Sequence, residues 1–215
     1  LPRIKPRRER IATPDADFLD LDHLGGDQGP CVVILHGLTG SSRSPYVVGL
    51  QSALHAKGVA SVALNFRGCS GTPNRTWRAY HSGETGDLRF VLETLRTRAP
   101  ERPLYVVGYS LGGNVVLKYL GEIGHDALVE AAVAVSVPLR LDLCATRLDR
   151  GLSKIYRHNL ITELKDFVKT KRLHLRRLGR VEDARRIEAL GDLKDVRSFW
   201  DYDDRVVARL YGFED

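Results

Sequence analysis

Gly108-Tyr109-Ser110-Leu111-Gly112 is the stretch that decides the fold of this chain. It follows the apolar run 104–107 and precedes a segment of helical character at 114–121. A strand that reverses sharply into a helix, with one hydroxyl at its tip, leaves no room for side chains two residues either side of the serine. The pattern therefore predicts a nucleophile elbow with Ser110 at its tip. An ordinary glycine-rich turn between a strand and a helix is the alternative.

The composition is that of one globular domain with embellishments. The chain has 215 residues and a mass of 24.0 kDa, and 43% of its residues are hydrophobic, which is enough for one large core. Its longest apolar run, 131–139, is far shorter than the ~20 residues that cross a bilayer, so we expect no stable membrane insertion. No secretion signal is visible, and three cysteines without metal-binding spacing favour reduced thiols in a cytoplasm.

The formal net charge of +6 raises the question of an anionic partner. The excess lies in residues 1–10 and 151–190, and the remainder is slightly acidic. In the second stretch, leucines and other apolar residues interleave with the charges, as in amphipathic helices with a solvated face. We therefore expect no nucleic-acid binding. A non-catalytic module that binds an anionic partner through these basic helices is an alternative function.

The order of apolar patterns predicts an α/β fold. Four continuous apolar runs indicate strands that helices bury on both faces: 31–35, 59–65, 104–107 and 129–137. Helical patterns at 45–57 and 86–98 lie between them, the second with Ser82 as its expected N-cap. Alternating residues at 18–22, after a turn-rich segment, predict the second arm of an N-terminal hairpin. The whole predicts a mostly parallel, doubly wound sheet.

After Pro138 the strand pattern stops, and the chain to Gly212 has only helical and loop patterns, at 148–157, 160–171, 181–190 and 195–210. An insertion at this point would lie over the carboxyl ends of the strands, where open α/β sheets bind ligands. We therefore divide the chain into a core, 1–138, and a helical cap, 139–215. The cap is expected to shape the acyl pocket and to exclude water.

A second glycine-bearing loop, His36-Gly37-Leu38-Thr39-Gly40, follows the first buried strand. Its glycines let the backbone turn so that its amides point into a cavity, at the same end of the sheet as the elbow. In an acyl-transfer site, the Leu38 N–H and the Leu111 N–H would form the oxyanion hole. A simple tight turn is the alternative interpretation of this loop.

Longer motifs surround these two loops: NFRGCSGTPNR at 65–75, YHSGETGD at 80–87 and GYSLGGN at 108–114. Together with shorter matches at 13–15, 18–22, 203–204 and 211–213, they resemble the YheT-like branch of the α/β-hydrolases. The resemblance covers nearly the whole chain. It implies a Ser-His-Asp hydrolase of carboxylic esters with Ser110 as nucleophile and with Leu38 and Leu111 as oxyanion donors. It implies neither a cofactor nor a metal.

The base and the acid that such a serine needs are not evident. The histidines after Ser110 (His125, His158 and His174) have charged helical or connecting contexts without a preceding strand pattern. Asp203 and Asp204 lie in a helix or loop and are expected to be structural. His36 belongs to the oxyanion loop, and His81 is expected to pack or to cap.

We therefore predict that the chain is an internal piece of a longer hydrolase, whose further strands, triad Asp and triad His lie after residue 215. A natural pseudoenzyme with only the serine is the alternative. As given, the chain should be almost inactive. The open edge beside 129–137 could promote self-association, and the oligomeric state stays open.

The function that these patterns favour is that of a cytoplasmic serine esterase acting on small-molecule or lipid-like carboxylic esters. Thioester cleavage and lipid acyl-chain cleavage on the same scaffold are alternatives, because a serine nucleophile does not separate an ester from a thioester.

Overall fold

Six strands form a sheet in the order β1-β2-β4-β3-β5-β6. The computed structural model describes residues 4–213. The strands are β1 (Arg7–Ala12), β2 (Phe18–Leu24), β3 (Cys31–Leu35), β4 (Ala60–Asn65), β5 (Leu104–Tyr109) and β6 (Ala131–Val135). The last four are parallel, whereas β2 is antiparallel to both β1 and β4. The predicted hairpin and the mostly parallel sheet are confirmed.

Side-chain alternation along β3 explains how helices cover both faces of the sheet. Val33 and Leu35 pack in one cluster with α2 (Gly86–Arg98) and α3 (Leu111–Ile123). Val32 and Ile34 pack in another cluster, against α1 (Pro45–Ala56). A continuous apolar run is the pattern of a strand with two buried faces. The run 31–35 therefore lies near the middle of the sheet, where all five residues are buried.

The strand β6 departs from the expectation of burial on both faces. Its first three residues are exposed, and Val133 is 54% accessible, although α3 packs against this strand. Within residues 4–213, β6 is the last strand of the sheet and pairs with β5 alone. An apolar run indicates a strand, but the position of that strand in the sheet decides how much of it is covered.

From residue 139 onward the described chain is helical, as predicted, with different boundaries. The helices are α4 (Leu141–Leu148), α5 (Ser153–Arg177), α6 (Val181–Glu188), α7 (Phe199–Tyr202) and α8 (Arg209–Tyr211), with a π-helical segment, Asp203–Ala208, before the last. The segments predicted separately at 148–157 and 160–171 are largely joined in α5, because no glycine or proline interrupts its 25 residues. No helix between residues 4 and 213 is long and apolar enough to span a membrane.

These helices enclose a hydrophobic cluster of their own, which includes Leu164, Leu175, Ile187 and Val206. A buried lysine on α5 joins them to the sheet-bearing part of the chain. The Lys171 Nζ donates hydrogen bonds to the carbonyl oxygens of Thr76 (2.8 Å) and Arg78 (2.5 Å). Because the lysine is only 2% exposed, both acceptors are needed to offset its desolvation. The helices therefore have a defined attachment to the segment between β4 and α2.

The helix α2 begins at the predicted residue, but its N-cap is not the residue that the sequence predicted. Gly86 is its first residue, and Thr85 occupies the N-cap position, so the assignment of Ser82 as the N-cap was wrong. A backbone turn, closed by the Glu84 N–H on the carbonyl of His81, separates Ser82 from the helix. The side chain of Ser82 instead lies at the wall of the cavity described below.

Candidate active site

Ser110 has the strained backbone that the elbow motif predicts. Its φ of 51° and ψ of −117° are unusual for any residue with a side chain, and such strain needs support from surrounding contacts. The Ser110 N–H donates to the carbonyl of Val135 in β6 at 2.8 Å, and the Ser110 carbonyl accepts from the Gly113 N–H at 2.9 Å. The reversal from β5 into α3 is thereby held at the carboxyl end of the sheet.

Two glycines make this reversal sterically possible. A Cβ on Gly108 would lie 2.3 Å from the carbonyl oxygen of Gly112, and a Cβ on Gly112 would lie 2.6 Å from the carbonyl oxygen of His36. Both distances are far below van der Waals contact. The second one also shows that the start of α3 presses directly on the loop 36–40, so the two glycine-bearing loops that the sequence singled out are in contact.

In the loop 36–40, one backbone N–H has no hydrogen-bond acceptor in the described protein, and the N–H groups on either side of it both have one. The Gly37 N–H donates to the hydroxyl of Tyr46, and the Thr39 N–H donates to the hydroxyl of Tyr80, each at 3.0 Å. Within residues 4–213, neither the Leu38 N–H nor the Leu111 N–H meets a protein acceptor. Leu38, Ser110 and Leu111 line the same cavity. These two amides are the pair that the sequence predicted as oxyanion donors.

His36 is buried beneath this loop and is fully engaged in structural bonds. Its Nδ1 donates to the carbonyl of Gly37 at 2.7 Å, and its Nε2 accepts from the Phe66 N–H at 3.1 Å. Burial lowers the pKa of His36 to about 4, so the imidazole is neutral at physiological pH. Since both ring nitrogens are occupied, His36 supports the loop, as its place in the motif suggested, and has no free nitrogen for Ser110.

The other histidines are no better placed to activate the serine. His81 lines the cavity, but its Nδ1 accepts from the Gly83 N–H at 3.2 Å, and its ring packs edge-on against Tyr211 and Phe213. His125, His158 and His174 are not among the cavity-lining residues. In the described part of the chain, no side chain forms a hydrogen bond with the Ser110 hydroxyl.

The cavity in front of Ser110 has a volume of about 1170 Å³. Its walls come from the two loops, from the end of β6 and from the helices after residue 139. The apolar lining from those helices includes Leu141, Leu148, Leu160, Leu164, Phe167, Phe199 and Val207. A space of this size with many apolar lining residues suits a ligand that carries an acyl chain.

Asp203 and Asp204 also line this cavity, which the sequence did not indicate. They are the first residues of the π-helical segment, a geometry that is frequent at functional sites. Surrounding protein atoms and the neighbouring Asp204 raise the pKa of Asp203 to about 6. Their expected role was purely structural, and their placement at the cavity wall adds a polar, titratable patch to the site.

Sequence reasoning also missed the two tyrosines that bind the loop 36–40. Tyr80 was part of a quoted motif without a role, and Tyr46 lies in the first turn of α1. Nothing in the local sequence shows that either hydroxyl reaches a backbone amide in another loop. Within the described part of the chain, no group of three or more His, Cys, Asp or Glu side chains is arranged to hold a metal ion.

Comparison with known proteins extends these observations. Residues 30–203 match a family described as alpha/beta hydrolase fold. The protein YheT of Escherichia coli (strain K12) is 38% identical over 99% of this chain and 62% of its own length, and its description is that of an expected esterase. A monoacylglycerol lipase of Saccharomyces cerevisiae is 30% identical over 97% of this chain and 45% of its own length. An esterase of Pyrococcus furiosus has a TM-score of 0.59 at 24% identity, over 70% of this chain and 58% of that structure.

The chain therefore belongs to the α/β-hydrolase fold family. Within that family it is a YheT-like α/β-hydrolase, as the motifs at 65–75, 80–87 and 108–114 predicted. It spans 62% of the length of the Escherichia coli relative and 54% of that of a relative from Dictyostelium discoideum.

Proposed function

We propose that this protein is a serine hydrolase that cleaves carboxylic esters through an acyl-enzyme on Ser110. One observation carries the proposal. Leu38 and Leu111 line the cavity of Ser110, and their N–H groups have no protein acceptor within residues 4–213. Unpaired amides beside a serine held at the tip of a strained turn are the arrangement that stabilises an oxyanion in acyl transfer.

The reaction would run in two halves. In the first, Ser110 Oγ attacks the ester carbonyl carbon while its proton passes to a base, and the carbonyl oxygen becomes an oxyanion bound by the two amides. Collapse of this intermediate breaks the bond to the alcohol, which leaves with the proton from the base. In the second half, water attacks the acyl-enzyme by the same route. The acid is released and the Ser110 hydroxyl is restored.

We further propose that the base and its orienting acid come from polypeptide outside residues 4–213. His36 uses both ring nitrogens in structural bonds, and His81 is engaged at Nδ1 and packed between aromatic rings. The greater length of the relatives leaves room for such residues. Without a base, a triad enzyme keeps only the small rate that its oxyanion hole and binding provide.

The cavity favours esters with an apolar acyl chain. Half of its lining residues from the cap are leucine, phenylalanine or valine, and its volume of about 1170 Å³ exceeds what a short acyl group fills. A lipid-like ester is thus the preferred substrate class, and the relative named as a monoacylglycerol lipase is in keeping with it. A thioester would present the same carbonyl to Ser110 and is the second candidate. The three cysteines are free thiols, which supports a reducing, cytoplasmic setting.

The test compares the 215-residue chain with the full-length product of its gene. p-Nitrophenyl esters of increasing acyl length are offered to both proteins and to their Ser110→Ala variants. We expect hydrolysis by the full-length product, dependence on Ser110 and a preference for medium or long acyl chains, with a far lower rate in the 215-residue chain. Equal, Ser110-dependent rates in both proteins would refute an external base. Hydrolysis that survives Ser110→Ala in the full-length product would refute the nucleophile.

A further inference from the structure

The loop 36–40 has a conformation that its own sequence does not favour. Thr39 has a φ of 55°, in the left-handed region, where a β-branched residue is a genuine outlier. Backbone strain of this kind persists only when surrounding contacts over-determine it. The contacts that act here come from two side chains outside the loop, Tyr46 in the first turn of α1 and the more distant Tyr80.

The two hydroxyls occupy alternate amides of the loop. The Tyr46 hydroxyl accepts the N–H of Gly37, and the Tyr80 hydroxyl accepts the N–H of Thr39, which is the strained residue itself. The N–H between them belongs to the cavity-lining residue Leu38 and has no protein acceptor within residues 4–213. Because neighbouring peptide planes share a Cα atom, holding both flanking peptides fixes the Cα atoms of Gly37 and Leu38 and leaves the Leu38 N–H only rotation about the line between them.

Both tyrosines are themselves held in place. The Tyr46 ring lies 4.7 Å from the ring of Tyr109, the residue before the nucleophile. The Tyr80 ring stacks at 5.1 Å on Phe66, whose N–H binds His36, and meets Phe167 of α5 edge-on at 6.2 Å. Burial raises the pKa of Tyr80 well above its ordinary value, so its hydroxyl is protonated. The two hydroxyls are therefore fixed points relative to Ser110 and to the cap.

From this geometry we infer that Tyr46 and Tyr80 are positioning residues of the oxyanion hole: their hydroxyls clamp the loop 36–40 and leave the Leu38 N–H free for the oxyanion. This rests on the proposed function, since the clamp matters to catalysis only if Ser110 acylates. Tyr80 also links the oxyanion hole to the cap, because its ring contacts Phe167 on the helix that Lys171 anchors.

The first experiment needs no turnover and measures amide hydrogen exchange by NMR in the 215-residue chain. In the parent protein we expect protection at Gly37 and Thr39 and rapid exchange at Leu38. Tyr46→Phe should abolish protection at Gly37, and Tyr80→Phe at Thr39. Tyr119→Phe is the matched control, because the Tyr119 hydroxyl on α3 also accepts a backbone N–H. The donor is Leu128, between α3 and β6, at 3.3 Å. Unchanged protection in both active-site variants would overturn the clamp.

The second experiment measures hydrolysis by the full-length product. Loss of an oxyanion donor costs about 100- to 1,000-fold in rate, and a misplacement of about 1 Å can cost about 100-fold. We therefore expect kcat to fall about 10- to 100-fold in Tyr46→Phe and Tyr80→Phe, with KM little changed. Affinity for a trifluoromethyl ketone, which mimics the oxyanion, should fall by a similar factor, while Tyr119→Phe behaves as the parent.

Two outcomes separate this inference from the proposed function. If Ser110→Ala abolishes hydrolysis but both tyrosine variants match Tyr119→Phe in kcat and in ketone affinity, the clamp has no role in catalysis and the inference fails alone. If Ser110→Ala leaves hydrolysis intact, the proposed function fails, and the exchange data still report whether the hydroxyls hold the loop. A loss of thermal stability together with a rise in KM, without a selective fall in kcat, would indicate that the two tyrosines have only a structural role.

Discussion

Substitution of Arg67 by Met should be among the most destabilising single changes in this chain. The Arg67 side chain is 1% exposed and is the centre of a buried charge cluster. It binds Asp87 through two bonds of 2.8 Å, and it reaches Asp15 at 2.8 Å and Asp17 at 3.3 Å. Methionine fills much of the arginine volume without its charge, so the effect on stability reports the electrostatics more than a cavity.

The expected magnitude follows from what each carboxylate keeps. Asp17 retains bonds from the side chains of Thr76 and Asn74 and from backbone amides, so it stays largely satisfied. Asp87 is 4% exposed, and Arg67 is its hydrogen-bonded ion-pair partner. Removal of one partner of a buried ion pair costs about 3–5 kcal/mol, against a total stability of about 5–15 kcal/mol. We expect the loss of stability in Arg67→Met to lie nearer to about 3 than to about 5 kcal/mol, because Asp87 can become protonated.

The assay is urea unfolding followed by circular dichroism, with the free-energy difference taken from the midpoint and the slope. The control is Arg89→Met, which removes the arginine of an exposed pair with Glu93 and should have little effect on stability, because exposed ion pairs contribute little. Arg67→Met combined with Asp87→Leu should recover most of the loss, because the unpaired charge is then absent.

The pH dependence gives a second check. Burial already raises the pKa of Asp87 despite Arg67, and removal of the guanidinium raises it further. The folded variant then binds a proton at pH values where the unfolded chain has lost it, so the variant gains stability relative to the parent as the pH falls. A loss below 1 kcal/mol that is also independent of pH would refute the reasoning.

Three further outcomes follow from the structure. Gly108→Ala should prevent stable folding of the elbow, since its Cβ would lie 2.3 Å from a carbonyl oxygen. Its control is Gly49→Ala within α1, where no atom lies within 4 Å of the new Cβ, and this change should stabilise the protein by about 0.5–1 kcal/mol. Thermal unfolding measures both effects. Burial lowers the pKa of His36 to about 4, so the unfolded chain holds a proton on this residue between pH 6.5 and 4, and His36 should contribute a loss of about 3 kcal/mol of stability as the pH falls across that window. In urea unfolding, the free energy of unfolding of His36→Gln should depend less on pH than that of the parent, and equal pH dependences would contradict a neutral, buried His36. The raised pKa of Asp203, about 6, changes stability with pH in the opposite direction. Asp203→Asn should stabilise the protein by about 1 kcal/mol at pH 7, a figure reduced for solvent screening, and should have no effect below pH 4. An equal gain in stability at both pH values would exclude titration of Asp203 as the cause.

Much of the fold was predictable because its signals are local. The run 31–35 reads as a buried strand in the sequence and is one, and Gly86–Arg98 has the predicted helix boundaries. The predicted break between residues 157 and 160 was wrong for a local reason, since no glycine or proline interrupts α5. The exposure of β6 was not predictable, because its length of five residues and its composition do not encode its place at the edge of the sheet.

The candidate site divides in the same way. The turn at Ser110 was predictable, because a reversal between a strand and a helix limits which residues fit at each position. The nearness of Leu38 to this turn was predictable as well, because parallel strands end at the same edge of the sheet. The clamp by Tyr46 and Tyr80, the neutral state of His36 and the exposure of Asp203 to the cavity were not predictable. Each depends on side chains that approach from distant parts of the chain.

The amino-acid sequence by itself determined the order of strands and helices and the sharp turn at Ser110, because steric and hydrophobic constraints of these kinds act between near neighbours. Only the tertiary structure decided which amides stay unpaired, which histidine nitrogens are occupied and which carboxyl groups face the cavity. Hydrogen-bond satisfaction and burial are properties of the three-dimensional neighbourhood, and residues 30 to 130 positions apart in this chain supply it.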